Sequence, residues 1–177
     1  MSRGYLLSAP DNDSFMLRGP TPHPTCDACG LLTDREWIEP RFQLSRRDLD
    51  LSFTYDGYLI ASRRFADFAS ERGARCVSLP SEPGYRALLA DHVLAFDAAR
   101  RRTRFENRCE SCGRYRDVAG ATPVLLVGDA AVPEAFARTD IKFGSGDEQH
   151  PLILVGPRLG AELRAGPWRG LDLVPVP

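Results

Sequence analysis

Two short segments, Cys26-Asp27-Ala28-Cys29-Gly30 and Cys109-Glu110-Ser111-Cys112-Gly113, carry the same pattern: two thiols three positions apart, with glycine directly after the second. Nothing else in the chain restricts folding as much. A shared use for these thiols forces segments about 80 residues apart to meet, which closes a long loop. Two facing CxxC turns supply the four soft ligands of a closed tetrahedral Zn²⁺ shell. Gly30 and Gly113 suit that geometry, because a turn that aims backbone amides at thiolates favours positive φ, which glycine adopts without steric cost. The quartet Cys26, Cys29, Cys109 and Cys112 is read as a structural zinc site with no open coordination position for catalysis. Two other uses of the thiols stay open at this point. A redox CxxC opens a helix after a buried strand, whereas Thr21-Pro22-His23-Pro24 and the polar stretch 103–108 precede these two. A pair of disulfides needs an oxidising compartment.

The remaining composition is that of an ordinary globular chain. With 177 residues, 43% of them hydrophobic and 27% charged, one domain over 1–177 can bury a real core, and zinc acts as a staple within it. The knuckle elements fall at 26–30 and 109–113. Twenty-three basic residues against 24 acidic leave a net charge of −1, which argues against an obligate nucleic-acid binder. The opening stretch, Met1 to Pro10, has no long apolar region and is not expected to be a signal peptide, and no apolar run approaches membrane-spanning length. The expectation is a cytoplasmic protein with reduced, metal-binding cysteines and no membrane partner. The fifth cysteine, Cys76, reads as a small buried hydrophobe.

An internal repeat is visible between 59–79 and 153–173. Leu59-Ile60-Ala61-Ser62-Arg63-Arg64-Phe65 aligns without gaps onto Ile153-Leu154-Val155-Gly156-Pro157-Arg158-Leu159, and each copy reads strand, short helix, strand. In the first, Ser62 caps a helix with Phe65, Phe68 and Ala69 on one face, and Gly73 stops it. In the second, Gly156-Pro157 starts the helix, Leu159 and Leu163 form its buried face, and Gly166-Pro167 ends it. The expected fold class is α+β: a mixed sheet with short covering helices, two strand–helix–strand repeats and a zinc-ribbon-like four-cysteine site. Elsewhere, Glu36-Trp37-Ile38 and Val124-Leu125-Leu126-Val127 read as strands, and Pro133 to Arg138 as a short helix. Residues 85–102 fit either a helical face or a hairpin, and we expect a hairpin in which 93–96 pairs with 103–106 and leads into the second knuckle. Gly144 to His150 reads as a polar loop.

The sharpest catalytic pattern is that of an HNH-type nuclease: His92, then Asn107, then the Cys109–Cys112 knuckle, where a histidine would activate water for phosphodiester cleavage. The pattern is incomplete, since Gly113-Arg114-Tyr115-Arg116 follows where a final His or Asn belongs. HExxH, GxxxxGK[ST] and GxSxG are missing, and the three histidines, His23, His92 and His150, leave few general bases. His23 lies near the first knuckle as a candidate outer neighbour of the metal. The basic run Arg100-Arg101-Arg102 with Arg104 is diluted by Asp97 and Glu106 and reads as a solvated turn. The chain is expected to bind rather than to catalyse.

Two Cys-x-x-Cys-Gly motifs flanking a long middle segment resemble the double-CXXCG motif immunity proteins of bacterial polymorphic toxin systems. The resemblance extends over Tyr58-Leu59-Ile60-Ala61-Ser62-Arg63-Arg64-Phe65, over Phe136 to Gly144, and over Pro151-Leu152-Ile153-Leu154-Val155. It departs at Asp27-Ala28, where related knuckles often carry proline. The resemblance implies a small cytoplasmic protein that binds and neutralises a cognate protein toxin, a nuclease in several such systems, in kin discrimination. An inhibitor of a nuclease can present acidic side chains where nucleic acid would bind. Asp140, Asp147 and Glu148, around the glycine loop, are the first candidates for the toxin-binding surface; Asp11, Asp13, Asp48 and Asp50 are the others.

Overall fold

The computed structural model describes residues 2–129 and 131–177. In chain order its elements are β1 (Gly4–Ser8), β2 (Leu51–Phe53), β3 (Leu59–Ser62), α1 (Arg63–Ser70), β4 (Ala74–Ser78), β5 (Tyr85–Ala90), β6 (His92–Leu94), α2 (Ala98–Arg101), β7 (Arg104–Arg108), β8 (Tyr115–Ala119), β9 (Phe136–Ser145), β10 (His150–Val155), α3 (Pro157–Ala165) and β11 (Asp172–Val176). The strands form two sheets, ordered β11-β1-β10-β9-β8-β7 and β2-β3-β5-β4, with β6 joined to β9 beside the larger one. Every ladder is antiparallel except β6–β9. The result is a mostly antiparallel α+β fold with few, short helices.

Both segments that share a sequence pattern run strand, helix, strand, and both are split. β5 pairs with β3 and with β4, so it lies between the two strands that α1 connects. β1 likewise lies between β10 and β11, which α3 connects. The local signals act as expected. The Ser62 hydroxyl accepts the Phe65 amide at the start of α1, and Phe65, Ala66 and Ala69 are buried along it. Gly156 and Pro157 open α3, Leu159 and Leu163 are buried, and Gly166 ends it. An oxygen at an N-cap satisfies an otherwise orphaned amide, and a proline in the first turn sacrifices none.

Period-two alternation sorts the strand residues into clusters. Leu59, Ala61, Leu88 and Ala90 of the smaller sheet meet Leu7, Phe136, Ile153, Val155 and Leu173 of the larger one, with α1 and α3 completing a shared core. The alternate residues Tyr58, Ile60 and Ala87 face Met16, Phe42 and Leu44 from the irregular segment that precedes β2. The far face of the larger sheet, with Leu154, Phe143, Val118 and Val176, is covered by Val124, Leu126 and Val132. Cys76 is half-buried against the shared core, and burial pushes its thiol pKa up.

Five expectations need correction. Glu36-Trp37-Ile38 is a turn and irregular chain, and Val124 to Val127 contributes only a single bridge, Phe96 to Leu126. Both apolar stretches cover sheet faces instead of joining a ladder. Pro133 to Arg138 holds no helix; β9 begins at Phe136, because Phe136 and Val155 pair across the larger sheet. The hairpin also has different partners. Residues 92–94 pair in parallel with β9, and the hairpin that carries the second knuckle is β7–β8, across the thiols themselves. The polar loop 144–150 is shorter than read: β9 runs to Ser145, a 3-10 turn occupies Gly146–Glu148, and β10 starts at His150.

Candidate metal centre

The two knuckles are built alike. In the first, the Cys26 amide donates to the Leu31 carbonyl at 2.9 Å and the Gly30 amide donates to the Cys26 carbonyl at 2.7 Å. In the second, the Cys109 amide donates to the Arg114 carbonyl and the Gly113 amide to the Cys109 carbonyl, both at 2.8 Å. Gly30 and Gly113 sit at φ 73° and 72°, in the left-handed region that closes such a turn. Neither knuckle opens a helix, which separates both from the redox arrangement.

The four sulfurs of Cys26, Cys29, Cys109 and Cys112 all lie within 4.8 Å of one another. Cys29 Sγ stands 3.7 Å from Cys112 Sγ, and all five cysteines are free thiols. Tetrahedral coordination with metal–sulfur bonds of about 2.3 Å spaces its sulfurs about 3.8 Å apart. A disulfide brings them to about 2.0 Å. The cluster therefore has the donor set and spacing for a metal ion, and among the described residues it is the one group of histidine, cysteine and acidic side chains close enough to hold one.

Electrostatics point the same way. Backbone amides of Cys29 and Ala28 aim at the Cys26 sulfur and hold its thiol below the ordinary value, and the Cys112 amide does the same for Cys109. At Cys29 the Leu31 amide also favours the thiolate, yet burial and the three neighbouring sulfurs push its pKa up. Four thiolates this close repel one another, and a divalent cation at their centre removes the conflict.

The knuckles are bound to each other by side chains outside the cysteine motif. Arg114 spans the gap: Nη1 donates to the Leu32 carbonyl at 2.7 Å and Nη2 to the Thr33 carbonyl at 3.0 Å. Arg116 Nη1 donates to the Cys29 carbonyl at 3.2 Å. Asp147 Oδ1 accepts the Leu32 amide at 2.9 Å, and Arg35 Nη1 donates to the Asp147 carbonyl at 2.8 Å. Arg114 and Arg35 were not singled out from sequence. The one available hint was position, since Arg114 follows Gly113 directly.

The acidic candidates for a partner surface are dispersed. Asp147 is partly buried and pins the first knuckle, while Glu148 is exposed beside it. Asp140 is exposed, and its Oδ1 accepts the Phe96 amide at 2.9 Å. Asp11, Asp13 and Asp48 are exposed. Asp50 is buried and serves as a hub, accepting from Ser62 and Arg64 at 2.7 Å each and from the Arg169 amide at 3.0 Å. His23 stacks on Trp37.

The nuclease-like histidine and the thiols do not converge. β6 and β8 occupy the same edge of β9 at opposite ends, His92 opposite Ala137 and Asp117 opposite Ser145. At about 3.3 Å per strand residue, that separation is about 26 Å. Asn107, at φ 57°, donates to Asp117 within the knuckle hairpin.

No helix is long and apolar enough to cross a membrane among the described residues. The chain matches no family model, no curated protein and no solved structure.

Proposed function

We propose that this protein is an immunity protein: a cytoplasmic inhibitor that binds a cognate bacterial toxin, a nuclease, and neutralises it in competition between neighbouring cells. The reading starts from the resemblance to double-CXXCG immunity proteins. The observation that carries it furthest is the closure of the two knuckles into one four-thiol cluster. In this reading the metal is Zn²⁺, held by Cys26, Cys29, Cys109 and Cys112, and its role is structural. Zinc is favoured by an all-thiolate tetrahedral donor set. A clamp that joins distant segments gives an inhibitor the fixed surface that specific binding requires. The separation of His92 from the thiols supports a binder over a nuclease. On their shared split topology, we also read the two strand–helix–strand units as copies of one structural repeat.

Of the three first candidates, Glu148 and Asp140 are exposed and stay available to a partner, as Asp11, Asp13 and Asp48 do; Asp147 contributes through the loop it anchors. The test is to look in the neighbouring reading frame for a large protein with a toxin-like carboxy-terminal domain and to co-express that domain with this protein. Rescue of growth and a complex that survives purification are expected. Continued killing with no complex rejects the reading.

One observation favours a second reading, a zinc-ribbon module that binds nucleic acid. β7 is exposed along its whole length and carries Arg104 and Arg108 as well as Phe105, which packs on Tyr115 with ring centroids 5.2 Å apart, with Arg104 on the face opposite Phe105. Basic and aromatic side chains on one strand suit single-stranded nucleic acid. A salt-sensitive gel shift lost in Arg104→Ala and Phe105→Ala would establish it.

A further inference from the structure

Away from the thiols, a cavity of about 130 Å³ opens between the two sheets, with β5 on one side and β9 and β10 on the other. Its floor is apolar, formed by side chains such as Phe53, Leu59, Leu88 and Ile153. Its polar lining is dominated by cations: Arg35, Arg75, Arg138 and Lys142, against the carboxylates of Glu36 and Asp91.

Those two carboxylates are both taken by one cation. Arg75 Nη2 lies 2.6 Å from Glu36 Oε1 and 3.0 Å from Asp91 Oδ1. The carboxylates near Arg35 are also engaged: Asp56 accepts the Met16 and Leu17 amides, and Asp147 accepts the Leu32 amide. Arg35 donates to the backbone carbonyls of Asp147 and Asp56. Arg138 has only a 3.4 Å contact with the Thr139 carbonyl. Lys142 has no side-chain hydrogen bond or ion pair, so among the described residues none of these three cations has a carboxylate within ion-pair distance, although Asp56 and Asp147 act on Arg35, Asp91 on Arg138 and Asp34 on Lys142 from farther away.

Clustered charges of one sign beside an apolar floor cost free energy unless a counter-charge joins them. Lys142 keeps an exposed flank, yet burial of its ammonium and the charges of Arg35, Arg114 and Arg138 hold its pKa below the ordinary lysine value. Burial, together with Arg35, likewise lowers the pKa of His150 at the edge of the cavity. Tyr58, 4% exposed, also contributes to the lining, while its side chain packs with Met16, Phe42 and Leu44.

We propose that this cleft is a binding site for a small organic oxyanion, a carboxylate or phosphate on a compact apolar body, with Arg35, Arg138 and Lys142 facing the charge and the apolar floor facing the body. The site is distinct from the thiol cluster and does not depend on the toxin reading.

The test is calorimetric titration of the full-length, metal-loaded protein with benzoate, with its neutral isostere benzamide and with inorganic phosphate. Benzoate is expected to saturate at millimolar concentration or below and benzamide to bind about tenfold more weakly or worse. Lys142→Gln and Arg138→Gln, each checked for unchanged metal content and melting temperature, are expected to weaken benzoate by about tenfold. Two variants on the same strand guard against one that misfolds. Phosphate that displaces benzoate assigns the site to phosphate-bearing ligands, and benzoate binding that phosphate leaves unchanged assigns it to carboxylates. No saturation by either anion, equal affinity for benzoate and benzamide, or benzoate affinity unchanged in both variants overturns the proposal.

Discussion

Around α1 and α3 the chain buries Phe65, Ala66, Ala69, Leu159 and Leu163 against strands of both sheets, whereas β7 buries none of its five residues and β8 buries only Val118. The first region is held by apolar burial at roughly 25 cal/mol per Å² of surface removed from water. The knuckle hairpin has almost no such surface. Beyond the short β8–β9 ladder and the Gln149 bonds to β8, its geometry rests on four thiols, on Arg114 and Arg116, and on Asp147, none of which holds it by burying apolar surface. A hairpin alone is marginal in water. The contrast teaches that the thiols are the substitute for a core in one lobe, not a reinforcement of a core already present.

Removing the metal should therefore have the largest effect, and a local one. Structural zinc supplies on the order of 10 kcal/mol of apparent binding free energy in small zinc folds. In Cys109→Ser, metal content is expected to fall from one ion per chain to none. Amides of both knuckles should lose hydrogen-exchange protection while those of α1 and α3 keep theirs. Elemental analysis and exchange mass spectrometry read both. Knuckle amides that stay protected without metal would break the contrast.

The converse experiment acts on the core. Phe65 is fully buried and makes edge-to-face contacts with Phe136 and Trp168. Phe65→Ala is expected to cost about 3–5 kcal/mol by leaving a cavity. Urea unfolding should report that loss while the native-state metal content stays at its original value. Loss of metal in parallel would mean that the two regions unfold as one unit.

Asp50 offers a smaller, pH-dependent handle on the core side. The Arg64 hydrogen bond, with the Arg169 amide and the Ser62 hydroxyl, pulls its carboxyl down to about 2 from an ordinary 3.8. A carboxyl with a depressed folded-state pKa adds stability that is present above its unfolded value. That stability is lost as pH falls through the folded one. At about 1.4 kcal/mol per unit, discounted because Arg64 is half exposed, the contribution is about 1–2 kcal/mol. Stability should thus decline between about pH 4 and pH 2, and Asp50→Asn should be less stable at neutral pH with a flatter acid limb. An acid limb of unchanged slope in the variant would assign the pH dependence to other carboxylates.

What could be read from the sequence follows the same division. The helix caps, the buried faces of α1 and α3 and the knuckle glycines were legible because each is fixed by residues close in sequence. The failures were of another kind. Val124 to Val127 has the composition of a strand, but the edge of β9 is already shared by β6 and β8, so it packs over the sheet face instead. The short helix at 133–138 looked sound by its proline, and lost to pairing with β10 about 15 residues away. The thiols announced their cluster. Arg114, Arg35 and the role of Asp147 did not, because a long side chain that reaches a distant carbonyl leaves no periodic trace in sequence.

The smallest expected effect separates the metal from the contacts around it. Arg114 is exposed, and its two bonds run to backbone carbonyls of the other knuckle. Charge-assisted bonds of this kind contribute more than neutral ones, but solvent competes for an exposed guanidinium, so the pair together adds about 1 kcal/mol. Arg114→Gln should leave metal content and overall stability nearly unchanged. It should speed metal release to a competing chelator by about fivefold, the factor that 1 kcal/mol represents. Arg114→Lys should not restore the slow release, since a single ammonium cannot reach the Leu32 and Thr33 carbonyls with a planar fork. Phe65→Ala, measured where it remains folded, should release metal at the original rate. If the Arg114 variant releases metal no faster than the native chain, the four thiols alone hold the knuckles together, and the contrast between a lobe built on ligands and a lobe built on burial becomes sharper still.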